Sequence, residues 1–225
     1  MNRRKRFWLF LALRTVANTL IISGIIFSFL SFGPFVQQEV WYWWRSHFFT
    51  NQNTTITAPT SPDTKVKELP PLGVKPKNKE FGVVIEKIGV NAPIAENVDP
   101  TNYSEYIAAL AKGVAHARGT ALPGSTKADN NNVFLFAHSA INAIQARQYN
   151  SVFYLLRKLE KGDRVVTFYK GKRYDYIVRK KEVVQATDVR YLTDLSKKPI
   201  LTLQTCDPPG SSLRRLIITA DLVRS

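Results

Sequence analysis

The chain has few cysteines and few histidines. Its 225 residues include one cysteine and three histidines. A single cysteine excludes an intrachain disulfide framework and any cysteine-rich zinc site. The histidines have no spacing typical of metal ligation, so the sequence predicts no bound metal and no cofactor. No clustered acidic loop indicates a calcium site, although activation by calcium is left open at this stage.

Acidic residues are also scarce. There are 17 Asp and Glu against 32 Lys and Arg, which gives a formal net charge of +15. Such an excess can indicate nucleic-acid binding. Here, however, five of the charges lie within residues 1–36, beside an apolar run, and the rest are spread thinly. Because the chain has no basic stripe interleaved with aromatics and no recognition-helix motif, we predict no nucleic-acid partner.

Long apolar runs are absent except for one. Residues 15–36 carry no charge, and a membrane-spanning helix needs roughly 20 such residues. We therefore predict a basic cytoplasmic segment over 1–14 and a transmembrane helix over 15–36. The basic N-terminus should stay in the cytoplasm, which leaves the remainder of a single-pass cell-membrane protein outside. The alternative is a cleaved signal peptide, but the apolar run is too long and lacks a small-residue cleavage site.

Two further regions differ in composition and in their pattern of apolar residues. Residues 37–80 contain polar, turn-prone and Pro-rich stretches, which predict a juxtamembrane segment and stalk. From 81 to 225 the chain shows many short strand candidates and two short helix candidates, 104–112 and 151–159. The strand candidates are 81–85, 90–94, 132–137, 164–169, 174–180, 199–204 and 215–223. This pattern indicates a mostly β domain, either a barrel or a sandwich.

The cysteine lies at a place suited to chemistry. Cys206 ends the β-rich run 201–205 and precedes a Pro/Gly loop. His138 ends another apolar strand, and Arg214-Arg215 opens the strand after the loop. A thiolate can act as a nucleophile, a histidine can protonate a leaving amine, and a guanidinium can stabilise an oxyanion. The alternative is that Cys206 is a small buried apolar residue, as many free cysteines are.

The pattern around these residues resembles the sortase family over residues 81–225. Thr202-Leu-Gln-Thr-Cys206, the Pro/Gly loop and Arg215-Leu-Ile-Ile-Thr-Ala220 are similar to the family's signature. Three further segments match in the right order: Ile88–Ile94, Gly113–Gly124 and Phe134–His138. The resemblance implies a closed eight-stranded β-barrel with one or two short helices. It also implies a cysteine transpeptidase that cuts a Leu-Pro-x-Thr-Gly-like sorting signal.

The resemblance further implies roles and partners. Cys206 would be the nucleophile, His138 the general acid and base, and Arg215 the oxyanion stabiliser, while Thr205 would help to hold the substrate. Arg215 is preferred to Arg214 because it directly precedes the apolar strand. The expected substrates are secreted proteins bearing a sorting signal, and the expected acceptor is an amine on a cell-wall precursor or a pilin lysine. His116 is the competing histidine, and it is disfavoured because it does not end a core strand.

Two other function classes stay open at this point. An extracellular cysteine peptidase would use the same cysteine and histidine with water as the acceptor. A non-catalytic binding module anchored in the membrane would keep Cys206 buried and unreactive. The Pro-Pro sequence after Cys206 and the strand before it are unlike a thiol at a helix start, which disfavours a papain-like peptidase.

Overall fold

The computed structural model describes residues 3–48, 69–125, 130–139, 152–193 and 196–224. Its first element is a long helix, α1, which runs from Arg3 to Phe48. Within the described residues one stretch, Arg6–Leu30, is long and apolar enough to cross a membrane. This stretch begins before the predicted span of 15–36, because Phe7–Leu13 adds apolar residues ahead of Arg14.

Eight strands form a closed barrel, as the family resemblance implied. Around the barrel the strands follow the order β1-β2-β3-β4-β7-β8-β6-β5, and β5 pairs with β1 to close it. Two neighbouring pairs, β2 with β3 and β4 with β7, are parallel, and the others are antiparallel. The strands are β1 Phe81–Ile85, β2 Val90–Val98, β3 Val114–Ala117, β4 Asn132–Phe136, β5 Arg164–Tyr169, β6 Lys172–Gln185, β7 Ile200–Asp207 and β8 Arg214–Arg224.

Short helices connect some of these strands. Helix α2 covers Tyr103–Leu110, and the single turn α3 covers Arg190–Thr193. Two 3-10 helices cover Glu86–Ile88 and Tyr154–Lys158. The Asn102 side chain accepts a hydrogen bond from the Glu105 N–H, which caps the start of α2.

A tight hairpin joins β5 and β6, the two strands predicted over 164–169 and 174–180. Lys170 and Gly171 both have positive φ, at 49° and 78°. Two consecutive positive φ angles match the right-handed twist of the flanking strands, and glycine adopts them at little steric cost. The register therefore begins directly at the turn, with Tyr169 opposite Lys172.

Apolar side chains fill the barrel interior. The largest fully buried side chains come from most of the strands and from the Tyr154–Lys158 connection, which makes one continuous core. Members with at most 2% exposure include Ile85, Leu135, Phe153, Leu156, Leu159, Tyr176, Leu201, Leu203 and Ile218. Burying such side chains stabilises the fold by about 1.5–3 kcal/mol each.

Two local features differ from the predictions. Strand β3 was not predicted, because its four residues, Val114–Ala117, are buried throughout and show no alternation. The segment 151–159 was predicted as a short helix, and its described part contains a shorter 3-10 helix over Tyr154–Lys158. Its residues Tyr154, Leu155 and Leu156 are buried in succession, so the segment lacks the exposed face of an amphipathic helix.

The segment 69–80 lies against the outside of the barrel. Leu72 and Val74 pack on a small cluster of Val84, Val166 and Phe168. The Gly73 N–H donates to Glu86 Oε1 at 2.6 Å, and Arg164 Nη2 donates to Glu86 Oε2 at 2.5 Å. The structure thus describes residues 37–48 as helix and 69–80 as this packed segment. The predicted stalk over 37–80 stays a prediction, since residues 49–68 lie outside the described part.

Candidate active site

Three adjacent strands bring the predicted site residues to one rim of the barrel. Strand β7 lies between β4, which runs parallel to it, and β8, which runs antiparallel. The β4–β7 register pairs Phe136 with Gln204, and the Ala137 N–H extends this ladder by donating to the Gln204 carbonyl at 3.2 Å. His138 therefore follows β4 at the level where Cys206 lies on β7.

Cys206 and Arg215 face each other across β7 and β8. They are Cα partners in the register, and both side chains are half-buried. Arg215 Nη1 donates to the carbonyls of Ser212 and Arg214, at 3.0 Å in each case. These two bonds hold the guanidinium, which carries five N–H donors in all, at the loop beside the thiol.

The next register pair along β7 and β8 forms an ion pair. Asp207 is the register partner of Arg214, and Arg214 Nη2 lies 3.1 Å from Asp207 Oδ2. Because neighbouring residues on a strand point to opposite faces, this pair and the Cys206–Arg215 pair lie on different faces. The negative charge next to the cysteine in sequence is thus neutralised by a partner that does not face the thiol.

The His138 imidazole is half-buried and lies at the level of the Cys206–Arg215 pair. Burial lowers its pKa below the ordinary value, because the cationic form loses solvation. The His138 carbonyl accepts a hydrogen bond of 3.2 Å from the Phe153 N–H, at the start of the Tyr154–Lys158 helix. The ring is therefore neutral at pH 7, and its backbone is held by the residue that precedes the Tyr154–Lys158 helix.

Thr205 is placed inside the protein. The residue is 4% exposed, and its hydroxyl donates to the Ala137 carbonyl at 2.9 Å. This bond ties β7 to the residue just before His138. In this arrangement the Thr205 hydroxyl supports the position of the histidine, and its predicted contact with substrate stays a prediction.

His116 is in a different environment. It is 2% exposed, its Nδ1 accepts from the Asn97 N–H at 3.2 Å, and its Nε2 lies 2.9 Å from the Ala121 carbonyl. A ring that accepts at Nδ1 and donates at Nε2 is neutral. Both nitrogens of His116 are occupied by backbone groups, so this histidine serves the fold.

Helix α2 adds a tyrosine to the site that the sequence did not indicate. Tyr106 is half-buried against the core, and its ring meets Tyr103 edge-on with centroids 5.4 Å apart. Burial raises the pKa of Tyr106, the ionised forms of Tyr103 and Cys206 would raise it further, and the Arg215 guanidinium opposes this effect. Tyr106 is thus electrostatically close to both Cys206 and Arg215. No sequence signal marks it, because a tyrosine in a short amphipathic helix is ordinary.

An ion-pair network holds α2 in this place. Arg118, just after β3, contacts Asp99 Oδ2 at 3.1 Å and Glu105 Oε1 at 2.7 Å. The same Glu105 oxygen accepts from the Asp99 N–H at 3.0 Å. The helix is therefore tied to the ends of β2 and β3. Within the described ranges, no group of three or more His, Cys, Asp or Glu side chains could hold a metal ion.

A closed eight-stranded barrel with a cysteine and an arginine paired across β7 and β8, and a histidine at the end of β4, is the arrangement expected of a sortase. The Sortase domain family matches residues 83–223, which is more than half of the chain. The chain therefore belongs to the sortase family.

Solved structures of sortases are similar to it. Sortase C-1 from Actinomyces oris is 26% identical, with a TM-score of 0.52, over 64% of this chain and 73% of that one. A Clostridium perfringens sortase C, solved with the C-terminal cell wall sorting motif, is 26% identical with a TM-score of 0.52, over 64% and 70%. A lid mutant of Corynebacterium diphtheriae sortase A shares the fold at 23% identity and a TM-score of 0.52, over 66% and 72%. Comparison with curated proteins finds no match.

Proposed function

We propose that the protein is a membrane-anchored cysteine transpeptidase that cleaves a Leu-Pro-x-Thr-Gly-like sorting signal. The observation that carries the proposal is the pairing of Cys206 with Arg215 beside His138, in a chain that belongs to the sortase family. The similar Clostridium perfringens sortase C, whose structure includes a cell wall sorting motif, supports a signal-bearing protein as the substrate.

In the first half-reaction Cys206 Sγ attacks the carbonyl carbon of the peptide bond after threonine. The neutral His138 ring accepts the thiol proton, which its lowered pKa allows at pH 7. The tetrahedral oxyanion is stabilised by the Arg215 guanidinium. The carbon–nitrogen bond then breaks, His138 returns the proton to the leaving amine, and a thioester to Cys206 remains.

In the second half-reaction an acceptor amine attacks the thioester carbonyl. His138 takes a proton from the amine, the carbon–sulfur bond breaks, and the proton returns to the sulfur as the free thiol reforms. The product is a new amide between the cleaved protein and the acceptor. We propose an amine on a cell-wall precursor or a pilin lysine, with water as the acceptor if the enzyme acts as a peptidase.

The helix stretch Arg6–Leu30 supports the membrane location. Arg3, Arg4 and Arg6 precede or begin this stretch, and such clusters remain on the cytoplasmic side. We therefore propose that the barrel lies outside the cell, where secreted substrates and envelope amines are found.

Mass spectrometry of the full chain in nanodiscs, incubated with a library of sorting peptides, tests the proposal. We expect an acyl-enzyme on Cys206 with one family of peptides, and its transfer when a diamine is added. Full transfer by a Cys206→Ala protein would refute a thiol mechanism. Product that forms at the same rate with and without amine, and contains only free acid, would show the peptidase instead.

Two neighbouring arginines provide a matched control. Arg215→Ala should lower transfer by about 10²–10³-fold, as loss of an oxyanion donor does. Arg214→Ala removes a charge of the same sign one residue away and should have a much smaller effect, because Arg214 pairs with Asp207 on the other face. Equal losses in the two variants would contradict the role given to Arg215.

A further inference from the structure

The part of α1 beyond its apolar stretch contacts the barrel. We call residues 31–48 the juxtamembrane section. Within it, Glu39 forms ion pairs with Arg157 and with Lys158, the latter at 3.1 Å between Oε2 and Nζ. Tyr42 packs against the barrel core, and Lys158 Nζ lies 5.1 Å from the centre of the Tyr42 ring. One face of this section therefore presents an acid and an aromatic ring to two cations.

The barrel surface that meets this section, which we call the docking patch, consists of Gly89, Arg157 and Lys158. Arg157 also lies over the Tyr154 ring, 4.8 Å from its centre, so its guanidinium is held in place on the barrel side. A Cβ atom at Gly89 would stand 2.4 Å from the Trp41 ring, and the φ of Gly89 is 68°. Any larger residue would clash with this ring, which is otherwise 42% exposed.

The charges at this contact are well matched. Burial alone would raise the pKa of Glu39, but hydrogen bonds from Lys158 and Arg157 lower it overall. Glu39 is therefore ionised when it meets the two cations. All three side chains are partly withdrawn from solvent, with 33% to 36% exposure, which reduces screening of the ion pairs by salt.

The docking patch continues directly to the catalytic histidine. Arg157 and Lys158 end the 3-10 helix Tyr154–Lys158, and Phe153 precedes it. Phe153 is fully buried, and its N–H donates to the His138 carbonyl. One short, densely packed element thus has the juxtamembrane section at one end and His138 at the other.

We propose that the juxtamembrane section stays bound to the docking patch in the membrane-anchored protein, and that this contact positions His138 through the Tyr154–Lys158 helix. Glu39 and Tyr42 lie nine and twelve residues beyond Leu30, which at 1.5 Å per residue is about 14–18 Å past the apolar stretch. The docking patch is therefore kept at a fixed, short distance from the bilayer. This inference rests on the membrane anchoring in the proposed function.

Tryptophan emission can test the contact. All four tryptophans, at positions 8, 41, 43 and 44, lie in α1, so the barrel contributes none of the signal. With the other three changed to Phe, the full chain in nanodiscs reports Trp41 alone. Glu39→Arg should shift this emission to longer wavelength and increase its quenching by acrylamide. The charge-swapped protein, which also carries Arg157→Glu and Lys158→Glu, should regain the original spectrum.

Val40→Arg is the control, because Val40 neighbours Glu39, is exposed, and receives the same arginine without the loss of an acid. It should leave both the emission and the transfer rate unchanged. Glu39→Arg should lower kcat for peptide transfer by about two- to fivefold, the scale of partly exposed ion pairs, with KM unchanged. The charge swap should restore kcat.

Each outcome decides one part of the proposal. Unchanged Trp41 emission in Glu39→Arg would overturn the docking. Altered emission with unchanged kcat would overturn the positioning of His138. Failure of the protein to remain with the membrane fraction would count against the anchoring itself, and the emission test in detergent would still report on the docking.

Discussion

Two histidines lie near strand β4, one on the neighbouring strand β3 and one just after the end of β4, and they behave differently. On the β3 side, His116 lies opposite Leu135 and uses both ring nitrogens within the fold. His138 lies just beyond the end of β4, at the level of Cys206 on β7. Burial lowers the pKa of both rings. Burial and pKa therefore do not distinguish these two histidines, whereas the neighbours of each ring do.

The largest expected effect comes from His138. His138→Ala should reduce peptide transfer by about 10²–10⁴-fold, because proton transfer to and from the reacting groups is lost. Thermal unfolding should change little, since the half-buried His138 ring lies at the rim and is not part of the barrel core. Steady-state transfer assays and calorimetry on the same preparation measure both quantities. A loss that follows the unfolded fraction would make His138 structural like His116.

The opposite pattern is expected for His116. His116→Leu leaves the Asn97 N–H and the Ala121 carbonyl without their partners, which costs about 1–3 kcal/mol for each buried group. We expect a lower midpoint of thermal unfolding, with near-normal kcat for the molecules that remain folded. Active-site titration with an irreversible thiol reagent gives the folded fraction. A drop in kcat per active site as large as that of His138→Ala would contradict the structural role given to His116.

The pH dependence of stability should also report on the burial of His116. Burial lowers the pKa of His116, against the opposing effects of the Ala121 carbonyl and Glu96. The unfolded chain therefore binds a proton near pH 6.5 that the folded chain resists. This stability is complete above about pH 6.5 and is lost as the pH falls through the folded pKa. Denaturant titrations between pH 8 and 5 should show a shallower decline in His116→Leu than in the parent.

The smallest effect is expected at Tyr106. The helix α2 contacts β2 and β3, yet Tyr106 is electrostatically close to Cys206 and Arg215 on the other side of β4. Tyr106→Phe removes one hydroxyl and should change kcat by about two- to tenfold. Tyr103→Phe, at an exposed neighbour, is the control and should be closer to the parent. Equal effects would place Tyr106 outside the site.

Much of the barrel could be predicted from sequence because its strands carry strong local signals. The β5–β6 hairpin is marked by Lys170-Gly171, and β4 and β7 by runs of apolar and β-branched residues. Strand β6 was predicted over 174–180, but it continues to Gln185. Its second half is charged and partly exposed, and it is held in the sheet by pairing with β8, as at Glu182 and Ile217. Such pairing partners cannot be identified from the strand itself.

The site also contains residues that the local sequence indicates and residues that it does not. Cys206, His138 and Arg215 could be selected because each ends or opens a recognisable strand and together they resemble a known family. Tyr106 could not, since its approach to the cysteine depends on how α2 is tied to Arg118. The compensation of Asp207 by Arg214 also became visible only with the cross-strand register. The role of a side chain that depends on a neighbouring strand or helix cannot be predicted from the residues next to it in the sequence.

The parallel pairing of β4 and β7 has a consequence for how the protein becomes active. Residues that meet across this pair, such as Ala137 and Thr205, are 68 positions apart in the chain. Closing so long a loop is entropically costly and slows folding, so β4 and β7 should pair after the local hairpins have formed. Arg215 can face the thiol only once β8 has joined β7. The thiol and its partners therefore come together as the barrel closes, which keeps a partly folded chain from carrying an assembled active site.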